Sequence, residues 1–88
     1  MKKAIITVVG KDTVGIIAKV CVFLAEKNVN ILDIAQTIVD GYFNMMMIVD
    51  AGNAEFDQVS EGLQTLGEEI GVVIRCQRED IFNKMHRI

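Results

Sequence analysis

The alternation of apolar and polar residues predicts a strand and then a helix in the first part of the chain. Residues 3–9 are rich in β-branched side chains and are apolar at both alternating positions up to Gly10, as in a strand buried on both faces. Residues 14–27 then repeat apolar side chains at helical spacing, at Ile16, Ile17, Val20, Cys21 and Leu24. Asp12 or Thr13 is expected to cap this helix, and Asn28 to end it in a left-handed conformation.

A long hairpin is predicted next. Residues 29–40 form its first strand, and Asp40-Gly41 is the dipeptide of a tight two-residue turn into a return strand over residues 42–50. Strict alternation along the first strand gives two faces, one with Asn30, Leu32, Ile34, Gln36 and Ile38 and the other with Ile31, Asp33, Ala35, Thr37 and Val39. On the return strand, Met45 and Met47 are expected on one face and Met46 on the other, mainly to fill the core.

A second helix, a last strand and a terminal helix complete the predicted order. Asn53 is expected to cap the second helix and Gly71 to end it, and the apolar stripe between them consists of Phe56, Val59, Leu63, Leu66 and Ile70. Residues 72–77 alternate as a strand. Residues 79–88 place apolar side chains at helical spacing, at Ile81, Phe82, Met85 and Ile88.

This order predicts a single α+β domain over residues 1–88, with a core over residues 3–77 and a helical tail over residues 79–88. A βαββαβ order is that of the ferredoxin-like sandwich, in which two helices cover one face of a four-stranded antiparallel sheet. Because the first and third strands are apolar on both faces, the second sheet face also needs a cover. Either the terminal helix or another copy of the chain can supply it.

Composition and charge exclude several classes of partner. No apolar run approaches the roughly 20 residues that span a bilayer, and the start Met1-Lys2-Lys3 does not resemble a secretory leader, so a cytoplasmic protein without a membrane partner is expected. The net charge of -3 and the scattered basic residues argue against direct nucleic-acid binding. Cys21 and Cys76 lie in apolar runs far apart, and we expect two buried thiols.

The residues that catalysis requires are not found together. The sequence has one histidine, His86, near its end and one serine, Ser60, on a predicted helix, which do not make a nucleophile with a base and an orienting group. Most acidic residues fall on the outer side of the second helix or beside turns. We therefore predict no catalytic residue, no metal site and no cofactor, and expect that the protein is not an enzyme.

The segment Gly10-Lys11-Asp12-Thr13-Val14-Gly15 has the most unusual chemistry in the chain. Two glycines flank polar residues between a strand and a helix start, where free backbone N–H groups favour an anion. A Walker phosphate loop would place Lys-Ser or Lys-Thr after the second glycine, where Ile16-Ile17 stands. Taken alone, the segment is explained by a turn at Gly10, a helix cap, and close contact between helix and strand at Gly15.

Together with Asn28-Val29-Asn30-Ile31, this segment resembles the ACT domain family of amino-acid sensors. The resemblance spans residues 3 to about 77 and includes Ile34-Ala35-Gln36-Thr37 and Tyr42-Phe43-x-Met45. It is closest to the small stand-alone ACT proteins of bacteria and archaea, and glycine cleavage repressor proteins are similar more distantly. The resemblance implies that copies pair and that a small ligand lies between them, where the first loop of one copy meets the second strand of its neighbour.

Carried onto this sequence, the resemblance implies a ligand site made of Asp12, Thr13, Val14, Gly15, Ile16, Asn30 and Ile31. N–H groups at the helix start suit a carboxylate, and Asp12 or the amide oxygen of Asn30 suits an amino group. The expected partners are an amino acid, a second copy paired edge to edge or face to face, and a regulated protein. The alternative is an interaction module without a ligand, which the excess of apolar surface favours.

Overall fold

The computed structural model describes residues 2–11, 14–52 and 54–79, and it confirms the ferredoxin-like order. The four strands are antiparallel in the order β2-β3-β1-β4, so that β2 and β4 are the edges of the sheet. The predicted C-terminal helix lies outside the described residues from position 80 onward. The elements are β1 (Lys3–Lys11), α1 (Ile16–Glu26), β2 (Asn30–Val39), β3 (Tyr42–Asp50), α2 (Phe56–Ile70) and β4 (Val72–Arg78).

Both helices pack on one face of the sheet, which we call the helix face. Its buried side chains form one cluster with those of the helices, including Ile6 and Val8 of β1, Leu24 of α1 and Leu63 of α2. The predicted split of the three methionines is confirmed, since Met45 and Met47 are buried in this cluster while Met46 is 43% exposed on the opposite, outer face. Met46 therefore does not fill this core.

Local sequence signals set the ends of most elements. Asn28 has a φ of 59°, and the backbone N–H of Val29 donates to Leu24 O at 2.9 Å, which closes the end of α1 as predicted. Asp40 and Gly41, with φ values of 52° and 81°, form the predicted turn between β2 and β3. Gly71, with a φ of 79°, ends α2.

The predicted N-cap of α2 is wrong. Its N-cap is Glu55, whose side chain makes no capping hydrogen bond, while the expected cap Asn53 lies outside the described residues. Asp57 in the first turn still supplies the negative charge that the positive end of the helix dipole favours.

The alternation predicted along β2 is also wrong beyond Ile31. Ile31 pairs with Val49 and Asp33 with Ile48, so Leu32 is an extra residue that shifts the register. Such a bulge exchanges the faces of the residues that follow it. As a result Ile34, Gln36 and Ile38 lie on the helix face with Ile31, and not on the face of Asn30. Asp33 is exposed on the edge strand.

Candidate functional site

The structure corrects the predicted role of Gly10. The residue does not make a turn, because β1 continues through Gly10 to Lys11 and pairs on both sides, with Phe43 and with Val72. A Cβ at Gly10 would lie 2.6 Å from Cγ1 of Val72 and 3.0 Å from its Cα. Gly10 therefore allows β4 to approach β1 closely, and the turn begins only after Lys11.

Gly15 occupies a position at the start of α1 where the backbone has a positive φ. It is the N-cap of α1 with a φ of 89°, and a Cβ placed there would meet nothing within 4 Å. The expected close contact between helix and strand at Gly15 is thus not found, and glycine is favoured there by backbone conformation instead. Val14 lies before the helix rather than in it and is fully exposed, whereas Ile16 is buried in the core.

The start of α1 leaves backbone donors available. No side chain of the described residues caps the start of α1, and the bond from Lys19 N–H to Gly15 O, at 3.0 Å, is the first of the helix. The N–H groups from Gly15 to Ala18 precede that bond, so none has an acceptor within the helix. The expected caps, Asp12 and Thr13, lie outside the described residues. The described part of this loop can offer N–H groups to a carboxylate.

Within one chain, the structure separates the two halves of the predicted site. Asn30 pairs with Asp50, and Asp50 pairs with Lys3, so Asn30 and Ile31 of β2 lie at the same end of the sheet as the start of β1. The loop that leads to Gly15 leaves the other end of β1, at Lys11, eight residues after Lys3. At about 3.3 Å per residue, the two halves are on the order of 25 Å apart along the sheet. A single copy cannot bring them into contact with one small ligand.

The β2 edge carries apolar side chains that its own helices leave exposed. Ile34 and Ile38 lie on the helix face yet are 43% and 56% exposed. Phe23 of α1 faces α2, since a Cβ at Gly62 would lie 2.4 Å from the Phe23 ring. The side of α1 opposite Phe23 carries the small side chains of Ala18, Cys21 and Ala25. The edge of β2 is therefore an exposed apolar surface.

Among the described residues, no other set of side chains forms a second candidate site. No three His, Cys, Asp or Glu side chains there are arranged to hold a metal ion, and neither helix has the length and apolar character needed to cross a bilayer. Cys21 and Cys76 are free and half-buried rather than fully buried, and burial raises the pKa of the Cys76 thiol to about 11. A cleft of about 500 Å³ beside β4 is lined partly by Ser60, Gln64 and Arg75, and none of the predicted site residues borders it.

These features define a small ferredoxin-like module with an apolar sheet edge and a helix start that no side chain of the described residues caps. A family model for the ACT domain matches residues 2–77. A protein of Bifidobacterium longum called UPF0237 is 68% identical over the full length of both chains. The chain belongs to the ACT domain family.

Solved structures agree with this assignment. An ACT domain protein from Streptococcus pneumoniae is 43% identical, with a TM-score of 0.82 over 92% of this chain and 93% of that one. A structure described as a glycine cleavage system transcriptional repressor has a TM-score of 0.81 at 23% identity, over 88% of this chain and 45% of its own, which shows a shared fold. The predicted resemblance to the family and its more distant similarity to the repressor are both confirmed.

Proposed function

We propose that the protein is a regulatory module, without catalytic activity or a cofactor, that binds an amino acid between two copies of the chain. ACT domains are generally regulatory modules that bind small ligands such as amino acids, and the family assignment supports this role. The observation that carries the proposal is the separation of the loop ending at Gly15 from Asn30 and Ile31. Two copies can unite these halves, whereas one cannot.

Pairing through the β2 edges supplies the required geometry. When two identical strands pair antiparallel about a two-fold axis, the start of each lies beside the end of the other. Asn30 of one copy then lies beside Val39 of its neighbour, at the end of the sheet from which the neighbour's Gly15 loop emerges. The same pairing covers Ile34 and Ile38. The bulge at Leu32 lies directly after Ile31, and bulges commonly redirect side chains beside binding sites.

The groups at this junction match an amino acid. The N–H groups at the start of α1, with Val14, Gly15 and Ile16 nearest the loop, bind the carboxylate, each contact contributing about 0.3–1 kcal/mol. The amide oxygen of Asn30 or the carboxylate of Asp12 accepts hydrogen bonds from the amino group. Thr13 and Ile31 complete the lining in this proposal.

Ligand binding is tested first by calorimetric titration with each of the twenty amino acids. For any that binds, Asn30→Ala is expected to weaken the affinity about tenfold, the loss that corresponds to one or two polar contacts. Asn44→Ala is the matched control, because Asn44 is also an exposed strand asparagine but lies on β3. Equal affinities of the two variants would contradict the site.

The Gly15 position is tested with a control for strain. Gly15→Ala is expected to weaken binding, since an alanine at a φ of 89° disturbs the helix start that supplies the N–H groups. Gly71→Ala introduces comparable strain at a φ of 79°, beside the β4 edge, which takes no part in the proposed junction, and is expected to lower stability without weakening binding. If both variants weaken binding equally, the effect is one of folding alone.

Sharing of the site between copies is tested by mixing variants. In a pair made of one Gly15→Ala chain and one Asn30→Ala chain, one junction combines two unaltered halves and the other combines two altered ones. Mixing the variants, with time for subunit exchange, should therefore restore tight binding at one junction per mixed pair. A site formed within one chain predicts no restoration.

Lysine substitutions test whether two copies pair through the β2 edge. Ile38→Lys places a charge at the β2 edge and is expected to yield monomers in sedimentation velocity, whereas Val73→Lys, at a residue 58% exposed on β4, should leave the pair intact. The opposite pattern would assign pairing to another surface.

A second candidate function is an interaction module without a ligand. It is favoured by the number of large apolar side chains that are exposed, among them Val14, Val22 and Ile34. If none of the twenty amino acids binds in the titrations, and if Gly15→Ala and Asn30→Ala do not change the pairing of copies, this function is supported over amino-acid sensing.

A further inference from the structure

The direction in which each β2 side chain points limits how two β2 edges can pair. Residues that lie opposite each other on antiparallel strands point to the same face of the sheet. Beyond the bulge at Leu32, successive residues alternate between the faces, with Ile34 on the helix face beside Met47 and Ala35 on the outer face beside Met46. A two-fold axis between two β2 strands must therefore pass through a residue and not between two neighbours.

One register satisfies this condition along the whole strand. With the axis at Ala35, each residue of β2 except the bulge residue Leu32 would have a partner that points to the same face. The pairs would be Asn30 with Val39, Ile31 with Ile38, Asp33 with Thr37, and Ile34 with Gln36. An axis one residue to either side leaves one end of each strand unpaired. The bulge thus brings Ile31 of one copy opposite Ile38 of the other at each junction.

The surroundings of these two isoleucines are apolar. Ile38 is 56% exposed and lies on the helix face beside the buried Phe43. Ile31 is half-buried on the same face, beside the buried Val49. None of these four side chains carries a polar atom. A ligand side chain that enters the junction on the helix face would therefore meet hydrocarbon from both copies.

Charged side chains of the neighbouring elements point away from this pair. In β1, β2 and β3 they lie on the outer face, namely Lys3, Lys11, Asp33 and Asp50. Three more belong to α1 and its end, Lys19, Glu26 and Lys27. Each is three or four residues from Phe23 and so lies on the side of the helix that faces α2. Asp40 lies beyond the strand, in the turn.

We propose that the junction binds an amino acid with an uncharged aliphatic side chain, such as leucine or valine, which packs between Ile31 of one copy and Ile38 of the other. The inference rests on the proposed function and names the ligand class of that same site. The helix N–H groups and Asn30 bind groups that every amino acid has, so selectivity depends on the side chain. An amide or charged side chain loses its contacts with water and gains no polar partner from the two isoleucines.

Calorimetric titration of the full-length protein with amino acids of matched shape tests the class. Leucine should bind at least about tenfold more tightly than asparagine or aspartate, which branch at the same carbon atom. Tighter binding of asparagine, aspartate or a basic amino acid would overturn the inference and leave amino-acid sensing intact. If none of the twenty binds, the inference fails together with the proposed function.

A hydroxyl added to the pair tests where the side chain of the ligand lies. Ile31→Thr keeps a β-branched residue and should lower the preference for leucine over asparagine about threefold or more, as measured by competition. Ile34→Thr is the matched control on the same strand and face, outside the pair, and should leave this preference unchanged. The preference is a ratio, so a loss of folded or paired chains does not alter it. Equal ratios in the two variants would overturn the placement.

Cross-linking tests the register. In a Cys21→Ala, Cys76→Ala background, Ala35→Cys should link two chains under mild oxidation, because only the residue on the axis meets its own copy. Thr37→Cys, on the same strand and face, should not. Cross-linking no better at Ala35 than at Thr37 would overturn the pairing of Ile31 with Ile38.

Discussion

Substituting Gly10 by alanine is expected to destabilise the protein, because the residue lies where β1 and β4 come closest. The added Cβ would lie 2.6 Å from Cγ1, 2.9 Å from Cβ and 3.0 Å from Cα of Val72. Rotation of the valine side chain cannot relieve the last two contacts, since Cα and Cβ move only with the backbone. The strands must therefore separate locally.

The expected magnitude follows from two opposing terms. Forcing one extra carbon into a packed site typically costs about 1–3 kcal/mol. Replacing glycine by alanine restricts the unfolded chain and returns roughly 0.4–1 kcal/mol. For Gly10→Ala we expect a net loss of about 1–2 kcal/mol in the free energy of unfolding, or a fall in Tm of roughly 5–15 °C for a domain of this size.

Urea unfolding followed by circular dichroism measures this loss, and Val72→Ala tests its cause. The second substitution removes Cγ1, which makes the shortest contact. In a double-mutant cycle, the two changes together should therefore cost less than the sum of the single changes, by more than the roughly 0.5 kcal/mol scatter of independent sites. Additive costs would assign the strain to Cα and Cβ of Val72, which alanine retains, whereas a Gly10→Ala variant as stable as the parent would refute the steric explanation.

Three further predictions concern the core, a helix end and a thiol. Leu63 is fully buried, and Leu63→Ala should lower the free energy of unfolding by about 2–5 kcal/mol in urea titrations. Leu32→Ala, at a bulge residue that is 41% exposed, should cost far less. Similar losses from the two substitutions would place the core elsewhere. Because Asn28 has a φ of 59°, Asn28→Gly should be at least as stable as the parent in thermal melts, and Asn28→Ala should be less stable by about 1 kcal/mol. The reverse order of stability would contradict the left-handed end of α1. Cys76 has a pKa raised by burial from 9.0 to about 11, so the folded state holds this proton more tightly than the unfolded state does. Its contribution to stability should be complete below pH 9 and decrease as the pH rises toward 11, and Cys76→Ala should lack that part of the decrease in urea titrations from pH 8 to 11.

Local patterns predicted most of this fold because each depends on residues close together in sequence. Asp40-Gly41 can adopt two positive φ values in succession, so the dipeptide is enough to predict the turn. The stripe that contains Val59 and Leu63 likewise repeats at the period of a helix.

The errors occur where the deciding contact is distant in sequence. Apolar and polar residues do not alternate cleanly around Leu32, since Ile31 beside it is also apolar, and only the pairing of β2 with β3 shows which residue is the extra one. Gly10 and Gly15 are equally plausible turn residues in the sequence. Contact with Val72, which is 62 residues further along the chain, determines the role of Gly10.

The candidate site shows the same limit more strongly. Sequence similarity suggests which residues form the candidate ligand site. Only the sheet topology shows that, within one chain, Gly15 and Asn30 lie at opposite ends of the sheet. If these residues form one site, two copies must supply them. The family resemblance implies this arrangement, whereas the spacing of the residues in a single sequence does not.

If a ligand is held jointly by Gly15 of one copy and Asn30 of another, it must also strengthen their pairing. A ligand that binds only the paired state stabilises it by RT ln(1 + [L]/Kd) per site, about 2.7 kcal/mol at a concentration one hundred times Kd. By linkage, pairing must in turn strengthen the binding of the ligand. The fraction of paired chains then reports the ligand concentration, and a regulated protein need only distinguish the pair from the single chain. Such a signal requires no change of fold within either copy, which suits a domain whose helices pack on one face of a four-stranded sheet in a single core.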